Sequence, residues 1–500
     1  MPEIIISTLN ARYIHASLGA RYLYANMAEL QSQTEIQEYI INTRPIDIAE
    51  QLLASSPKII GLGVYIWNVQ QCTELAALIK SISPDTMIVL GGPEISYETE
   101  QQEIYQYADY VITHQADLAF ADLCRQLLTN QAPENKIINA DSPALDSLNL
   151  PYEYFNDEDI RNRIIYVEAS RGCPFKCEFC LSSLDKTAWP FDLQTFLQEM
   201  EKLYQRGVRQ FKFVDRTFNL KVKTSAAILD FFLDKIDDDL FLHFELIPDH
   251  LPELLKEKIK LFPAGSLQFE IGIQSFDEAT QTIISRKQNN DKTSSNLQWL
   301  VEETNAHLHT DLIAGLPGES LQRFAQGFNQ LVNLNPHEIQ LGILKRLRGT
   351  PIIRHTIEHK MRYNQVAPYN ILSTDVIDFK DMQRINRFAR YWDLIANSGR
   401  FKETLPLVLG DIPFENFMQL SDWLFSTSQQ THKIALNRLF SLLHNGMINE
   451  LNIDEKTVRQ QLLKDYDTSG LKGLPDFAKA EISKSEKVNM NTPKRQARHL

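Results

Sequence analysis

The sequence predicts an α/β protein in three parts: a doubly wound parallel sheet, an open barrel of six strand–helix units, and a mostly α-helical C-terminal domain. Two observations predict this order. Short apolar, β-branched runs alternate with amphipathic helical patterns through the first two parts. Beyond Arg354 the strand-like runs fade while helical patterns continue. The length of 500 residues agrees with this division, because it is enough for about three domains.

The first part spans residues 1–140. Ligands of doubly wound sheets lie beyond the carboxyl ends of the strands. The turn at Gly91 and Gly92 follows such an end, and glycine there lets a flat cofactor approach the backbone closely. The predicted strands are Ile4–Thr8, Ile36–Asn42, Ile59–Tyr65, Thr86–Leu90 and Tyr110–Thr113. The predicted helices are Leu18–Leu30, Ile46–Ala54, Asn68–Ser81 and Leu118–Leu128.

The second part spans residues 163–353 and follows a linker at 141–162 that contains Pro143 and Pro151. Six strand–helix units favour an open barrel over a closed barrel of eight, with the active site at the carboxyl ends of the strands. The predicted strands are Ile164–Ala169, Phe211–Asp215, Leu242–Ile247, Leu267–Ile273, Thr310–Gly315 and Ile339–Leu344. The predicted helices are Leu193–Arg206, Ser225–Ile236, Leu251–Leu261, Ser294–Thr304 and Gln322–Leu334.

The third part spans residues 354–478 and carries helical patterns at Phe379–Ala396, Phe414–Ser428 and Lys433–His444. We expect Trp392 and Trp423 to be core residues of this domain. The last segment, 479–500, is polar and predicts a disordered tail. Its cluster of basic residues leaves a nucleic-acid contact as the alternative.

Composition argues against two classes of function, nucleic-acid binding and membrane association. The formal net charge of −13 argues against nucleic-acid partners and anionic membrane surfaces. No run reaches the ~18 apolar residues of a membrane helix, and the first residues lack the features of a signal peptide. We therefore expect a cytoplasmic protein without membrane contacts.

Three of the five cysteines, Cys173, Cys177 and Cys180, fall within eight residues just after the first strand of the second part. Thiolates suit zinc or iron–sulfur clusters. Three of them can hold three corners of a cubane cluster and leave one iron open for a substrate. A structural zinc site needs a fourth ligand, but the loop contains no histidine and the other two cysteines lie in the first part. Spacings of four and three also fit inert core cysteines on one helix face, although Pro174 disfavours a regular helix there. The pattern favours an iron–sulfur cluster.

The C-x₃-C-x₂-C spacing, with Phe179 before the last cysteine, resembles the radical S-adenosylmethionine (SAM) superfamily. That resemblance implies a partial TIM-like barrel whose [4Fe–4S] cluster binds the methionine amino and carboxylate groups of SAM. Reductive cleavage of SAM then gives a 5′-deoxyadenosyl radical. Further segments are similar to the branch that contains coproporphyrinogen dehydrogenase, namely Phe269–Phe276, Asp311–Glu319 and Leu347–Pro351.

The resemblance also implies a set of SAM-contacting residues on successive strands and loops. They are Phe179, Glu245, Gln274, Arg286 and Asp311. Asp215 is added as the residue expected to replace part of the role of a Gly-Gly-Glu segment that is common in the family. A zwitterion with a ribose needs such a mixture of cation, carboxylate and amide. For the acidic members a helix cap or a surface pair is the alternative, and for the arginine a solvated helix position. The sequence departs from the family where a Gly-Gly-Glu segment is common, because Phe213–Asn219 stands there instead.

The first part resembles the Rossmann-like cobalamin-binding domain that precedes the radical domain in one subgroup of this superfamily. The turn Gly91–Glu94 and the strand Ala108–Ile112 carry this resemblance. It implies cobalamin contacts at Gly91 and Gly92. Arg12, Tyr13 and His15 are further candidates, because the segment that contains them follows the first strand and should lie at the ligand edge. A structural role is the alternative for His15. The Asp-x-His-x-x-Gly segment of some cobalamin proteins is absent, and Thr113–Asp117 replaces an acidic Gly-Glu-Gly-Glu stretch.

The order of the three parts resembles cobalamin-binding radical SAM enzymes with a C-terminal domain of unknown function. It implies radical chemistry on a small molecule, driven by a reductant such as flavodoxin or ferredoxin, with methyl transfer to an unactivated carbon as the leading reaction. One alternative is a radical oxidation or rearrangement with a vestigial cobalamin domain. The other is a non-catalytic iron–sulfur or corrinoid sensor.

Overall fold

The structure is a computed structural model that describes residues 2–473 and 475–479. The chain forms two compact units, one ending at Met382 and the other beginning at Gln383. The predicted boundaries at 140, 163 and 354 remain predictions. The predicted tail lies outside the described residues from 480 on.

The first unit opens with a six-stranded parallel sheet of order β2-β1-β3-β4-β5-β6. This order confirms the predicted doubly wound architecture, and β6 is an edge strand that the sequence did not predict. Its strands are β1 (Ile4–Asn10), β2 (Thr34–Ile40), β3 (Ile59–Gly63), β4 (Met87–Gly91), β5 (Tyr110–Thr113) and β6 (Ile137–Asn139). Its helices are α1 (Leu18–Ala25), α2 (Pro45–Leu53), α3 (Val69–Ile82) and α4 (Ala119–Leu128).

Alternating side chains of this sheet build two separate cores. Ile5 and Ile60 pack on one face with the apolar side of α3, whereas Ile4 and Ile59 pack on the other with Phe120 of α4. Because both faces are covered, the strands consist of nearly continuous apolar residues, as in buried parallel sheets.

A second parallel sheet has the order β14-β13-β12-β11-β10-β7, which confirms the open six-strand barrel. The strands of this region are β7 (Ile165–Val167), β8 (Ser170–Arg171), β9 (Trp189–Pro190), β10 (Gln210–Phe213), β11 (Phe241–Leu246), β12 (Leu267–Gln274), β13 (His307–Ala314) and β14 (Glu338–Ile343). Its helices are α5 (Asp157–Asn162), α6 (Leu193–Gln205), α7 (Val222–Leu233), α8 (Glu253–Ile259), α9 (Glu278–Ile283), α10 (Asn290–Glu303) and α11 (Leu321–Asn333). Strands β8 and β9 form a separate antiparallel pair.

The segment after β14 holds a second antiparallel pair, β15 (Arg362–Tyr363) with β16 (Ile371–Ser373), where the sequence predicted the start of helical structure. The remaining elements are helices, as predicted. They are α12 (Phe379–Trp392), α13 (Leu405–Leu409), α14 (Pro413–Ser428), α15 (Leu436–Asn449), α16 (Glu455–Thr468) and α17 (Asp476–Lys479). Trp392 is buried against Phe417 and Phe388, as expected of a core residue. Within the described residues, no helix combines the length and apolarity required to cross a membrane.

Candidate functional site

The barrel interior is lined by every second residue of the central strands. In β12 the buried residues alternate with Gln268, Glu270, Gly272 and Gln274, and β13 alternates in the same way. Because successive strand side chains point to opposite faces, the apolar set packs under the helices. The polar set therefore faces the interior of the barrel.

The three clustered cysteines meet these polar side chains in one cavity of about 270 Å³ at the carboxyl ends of the strands. Cys173 and Cys177 are buried and Cys180 is partly buried. Burial raises the pKa of the Cys173 and Cys177 thiols. Coordination to a metal reverses this effect, because a coordinating thiol loses its proton outright.

Arg286 supplies the positive charge beside the cysteines. Its Nη1 lies 3.5 Å from Cys177 Sγ, and its Nη2 donates to the carbonyl of Gly272. The guanidinium therefore opposes the effect of burial on the pKa of the Cys177 thiol. It is held over the cavity by the backbone of β12 rather than left in solvent.

Asp311 has the least satisfied carboxylate of the cavity. Its buried Oδ1 has no hydrogen-bond partner within the described residues, and His309 Nε2 lies 3.6 Å away. Burial and the charges of Glu270 and Glu245 raise the pKa of Asp311 to about 8. An orphaned buried acceptor costs free energy, so this atom suits a ligand that donates a hydrogen bond from an ammonium or a hydroxyl.

Glu270 lies in the same interior but has the opposite electrostatic environment. A hydrogen bond from His243 Nε2, 3.1 Å from Glu270 Oε2, and the charge of Lys212 lower the pKa of Glu270 to about 2. Nearby, Arg216 Nη1 lies 2.6 Å from Glu245 Oε1. The cavity therefore holds one carboxyl with a pKa near neutral pH, that of Asp311, beside two carboxylates that interact with cationic side chains, those of Glu270 and Glu245.

Backbone geometry at the end of β12 brings Gln274 into the cavity. The register with β13 shifts between Gly272 and Gln274, and Gln274 has a φ of 71°. A Cβ on Gly272 would lie 2.4 Å from Gln274 Nε2. Glycine at 272 is therefore required for this placement of the amide.

The structure brings together five of the six predicted SAM contacts with the three cysteines. These five are Phe179, Glu245, Gln274, Arg286 and Asp311. Asp215 does not line the cavity. Its Oδ2 accepts from the backbone of Ala169 at 2.9 Å and its Oδ1 from Ser170 Oγ at 2.5 Å, so it fixes the strand that leads into the cysteine loop. Burial raises the pKa of Asp215 to about 7.

A second cavity, of about 500 Å³, lies beyond the carboxyl ends of the first sheet. Gly91 and Gly92 line it, as predicted. A Cβ on Gly92, whose φ is 108°, would lie 2.5 Å from the carbonyl oxygen of Val64. Glycine at 92 is thus required by the turn itself, whereas a Cβ on Gly91 would meet only the carbonyl oxygen of Ile112, at an ordinary contact distance of 3.8 Å.

Arg12, Tyr13 and His15, the other predicted cobalamin contacts, do not line this cavity. The Tyr13 hydroxyl donates to Glu158 of α5 at 2.5 Å. His15 Nδ1 lies 2.7 Å from the hydroxyl of Tyr166 in β7. Tyr13 and His15 therefore connect the segment after β1 to the linker helix and the barrel.

Two arginines that line the barrel side of the second cavity were not among the site residues predicted from the sequence. Arg171 pairs with Glu168 at 2.9 Å and Asp117 at 3.0 Å, and its guanidinium lies over the ring of Tyr22. Arg216 lines both cavities, which therefore meet at its side chain. Each arginine follows a predicted strand, and this position was the signal that could have identified them.

Comparison with known proteins assigns a family to each part of the chain. Residues 4–124 match the B12 binding domain, residues 167–330 the Radical SAM superfamily, and residues 357–499 a protein family of unknown function, DUF4080. These matches confirm the two predicted domain types. A radical SAM domain implies a [4Fe–4S] cluster and SAM, and a B12 binding domain implies cobalamin. The cysteines, Arg286 and the orphaned Asp311 oxygen fit the first pair, and the glycine-lined cavity fits the corrinoid.

The chain is similar to the cobalamin-dependent radical SAM methyltransferase TokK of Streptomyces tokunonensis, with 22% identity over 62% of this chain and 50% of that protein. The chain spans about half the length of the curated relatives it matches. Two solved structures share the fold. The cobalamin-dependent SAM radical enzyme OxsB has a TM-score of 0.62 and 14% identity over 94% of this chain and 81% of that chain. The radical SAM methyltransferase TsrM of Kitasatospora setae has a TM-score of 0.59 and 13% identity over 94% and 100%.

Proposed function

We propose that this chain, which belongs to the radical SAM superfamily and carries a B12 binding domain, is a cobalamin-binding radical SAM methyltransferase acting on an unactivated carbon of a small molecule. The observation that carries the proposal is that the cysteine-lined cavity and the cavity of the first sheet meet at Arg216. A substrate at this junction has access to groups bound in both cavities.

When bound, the cluster and SAM supply a radical after one-electron reduction, and the corrinoid supplies a methyl group. The side chains of this chain orient those groups. The three cysteines provide the cluster ligands, and Arg286 places a positive charge beside Cys177. Asp311, with its unpartnered oxygen, accepts a hydrogen bond from SAM.

Arg216 is the residue best placed to position the substrate. Its pairing with Glu245 holds the guanidinium at the junction, while the side chain stays 51% exposed and so accessible to a ligand. A guanidinium presents several donors in a fixed plane. A carboxylate or phosphate group on the substrate is the chemistry it would recognise.

The similarity to TokK, whose name states a cobalamin-dependent methyltransferase, supports this choice of reaction. A reductant such as flavodoxin or ferredoxin and a cytoplasmic location belong to the same proposal.

The experiment is anaerobic reconstitution of the full chain with iron, sulfide and hydroxocobalamin, followed by reduction in the presence of SAM. We expect a corrinoid absorption band, four irons per chain and formation of 5′-deoxyadenosine. Gly91→Leu adds a bulky side chain at a position that lines the second cavity and tolerates a Cβ, so it should lose the corrinoid and keep the iron. Cys177→Ala should lose the iron and keep the corrinoid.

Each failure points to a different function. A chain that never retains corrinoid but forms 5′-deoxyadenosine would contradict methyl transfer and favour a radical oxidation or rearrangement. A fully loaded chain that forms no 5′-deoxyadenosine would contradict an enzyme and favour a sensor.

A further inference from the structure

Two histidines and a glutamate gather in the segment that follows the last barrel strand. His355, Glu358 and His359 place one ligand atom each within 4.8 Å of one another. The turn that brings them together is closed by a hydrogen bond of 3.0 Å from the His359 backbone amide to the His355 carbonyl. The two imidazole centroids lie 5.9 Å apart, close to the roughly 5–6 Å expected of two imidazoles on one zinc ion with Zn–N bonds of about 2.0 Å.

A carboxylate lies behind each imidazole. His355 Nε2 is 2.8 Å from Glu178 Oε2, and His359 Nδ1 is 3.5 Å from Asp375 Oδ2. Histidines that bind metals almost always give their second ring nitrogen to such a partner, which fixes the ring and raises its basicity. His355 therefore has the hydrogen-bonded carboxylate typical of a metal ligand. His359 has Asp375 within ion-pair distance of Nδ1, a buried atom without a hydrogen-bond partner in the described part of the chain.

Charge and accessibility also favour a cation. The immediate surroundings contain three carboxylates, of Glu178, Glu358 and Asp375. The guanidinium of Arg354 pairs with Glu178, and its Nε lies 3.3 Å from His355 Nε2. His355 is 8% exposed whereas Glu358 is exposed, so an ion can enter from the side of the glutamate. Two imidazoles and one carboxylate are a ligand set typical of zinc with an open fourth position.

We propose that His355 Nδ1, Glu358 and His359 Nε2 bind one Zn²⁺ ion, a site separate from the cysteine cluster. The ion would stabilise the cysteine loop, because Glu178 lies between Cys177 and Cys180 and connects that loop to His355. The backbone amide of Ile352 also donates to the Glu178 carbonyl at 3.0 Å. The proposal does not depend on the reaction that the barrel catalyses.

The test uses the cluster-loaded full chain, so that the cysteine thiolates are already occupied. The protein is dialysed against a mild chelator, titrated with Zn²⁺ alone, and analysed for zinc and iron by mass spectrometry and for zinc ligands by X-ray absorption. We expect about one zinc per chain, with nitrogen and oxygen neighbours at about 2.0–2.1 Å. Glu358→Gln and His359→Ala should weaken zinc binding at least tenfold while retaining four irons per chain.

His432→Ala is the matched control, because His432 is an exposed histidine distant in sequence from the three ligands. It should bind zinc as the wild type does. Equal zinc binding in wild type and Glu358→Gln would overturn the proposal, as would zinc with sulfur neighbours at about 2.3 Å. Failure of the wild-type chain to retain zinc would overturn it as well. Since Glu358 is exposed, its replacement by glutamine leaves the core intact and keeps the test valid.

Discussion

Asp311 should lower the stability of the barrel at neutral pH, and its replacement by asparagine should remove this effect. Its side chain is 17% exposed, and the pKa of its carboxyl rises from 3.8 to about 8 in the folded chain. Between these two values the folded state keeps a proton that the unfolded state releases. The free energy of unfolding therefore falls by about 1.4 kcal/mol for each pH unit.

The whole shift corresponds to at most about 6 kcal/mol, reached near pH 8. Because folding raises the pKa of the Asp311 carboxyl, the free energy of unfolding is highest below pH 4 and decreases as the pH rises toward 8. Asparagine has the same shape as the protonated acid and does not titrate. We therefore expect Asp311→Asn to be more stable than the wild type, with an advantage that grows by about 4 kcal/mol between pH 5 and pH 8.

The assay is urea unfolding of the cofactor-free chain at pH 5 and pH 8, following the fluorescence transition of the unit that contains the barrel. Gln268→Glu is an unsuitable control because it adds a charge to the barrel interior. His432→Ala is suitable because it lies in the other unit. An advantage of Asp311→Asn that is equal at the two pH values would refute the reasoning, since it would mean that the Asp311 carboxyl titrates normally.

Four further outcomes test the site. Asp311→Asn should weaken SAM binding about tenfold or more in equilibrium dialysis above pH 8, where the carboxyl is ionised, because a charged acceptor contributes about 1.5–3 kcal/mol; unchanged affinity there would remove Asp311 from the site. Cys177→Ala should lose cluster iron, whereas Cys124→Ala, which changes a buried cysteine of α4, should retain it. Gly272→Ala should displace Gln274 and weaken SAM binding, with Gly342→Ala as a control that meets only ordinary contacts, and equal affinities would contradict this. Arg171→Ala should destabilise the first unit by about 3–5 kcal/mol in calorimetry, because it leaves Glu168 and Asp117 buried without their cation.

The sequence was sufficient to predict site residues that are determined by local spacing or by alternation along a strand. The spacing of Cys173, Cys177 and Cys180 predicts the cluster site, and the resemblance to the radical SAM superfamily implies that Glu245 and Asp311 lie beside it. Parallel strands carry such residues to one edge of a sheet. Alternation along β12 and β13 then determines which side chains face the barrel interior.

The sequence was insufficient where a residue's partner lies far along the chain. Nothing near His15 indicates that its ring bonds to Tyr166, 151 positions later. Asp215 lies just beyond β10, and its carboxylate accepts hydrogen bonds from Ala169 and Ser170, which follow the neighbouring strand β7. A position at a strand end predicts the correct edge of the sheet, whereas the direction of the side chain depends on tertiary hydrogen bonds.

The cysteine loop itself is held from three directions, and this determines how precisely it can position a cluster. The Cys173 amide donates to Asp185 within the loop at 2.9 Å, and the Glu178 amide donates to Ile284 beyond β12 at 3.1 Å. The carboxylate of Glu178 also accepts from Ser285 Oγ at 2.5 Å and contacts His355 beyond β14. Binding sites supported by such a second layer of contacts hold their geometry better than free loops. Because these partners come from the exits of two barrel strands, a change in either exit should alter the cysteine positions before it alters the fold.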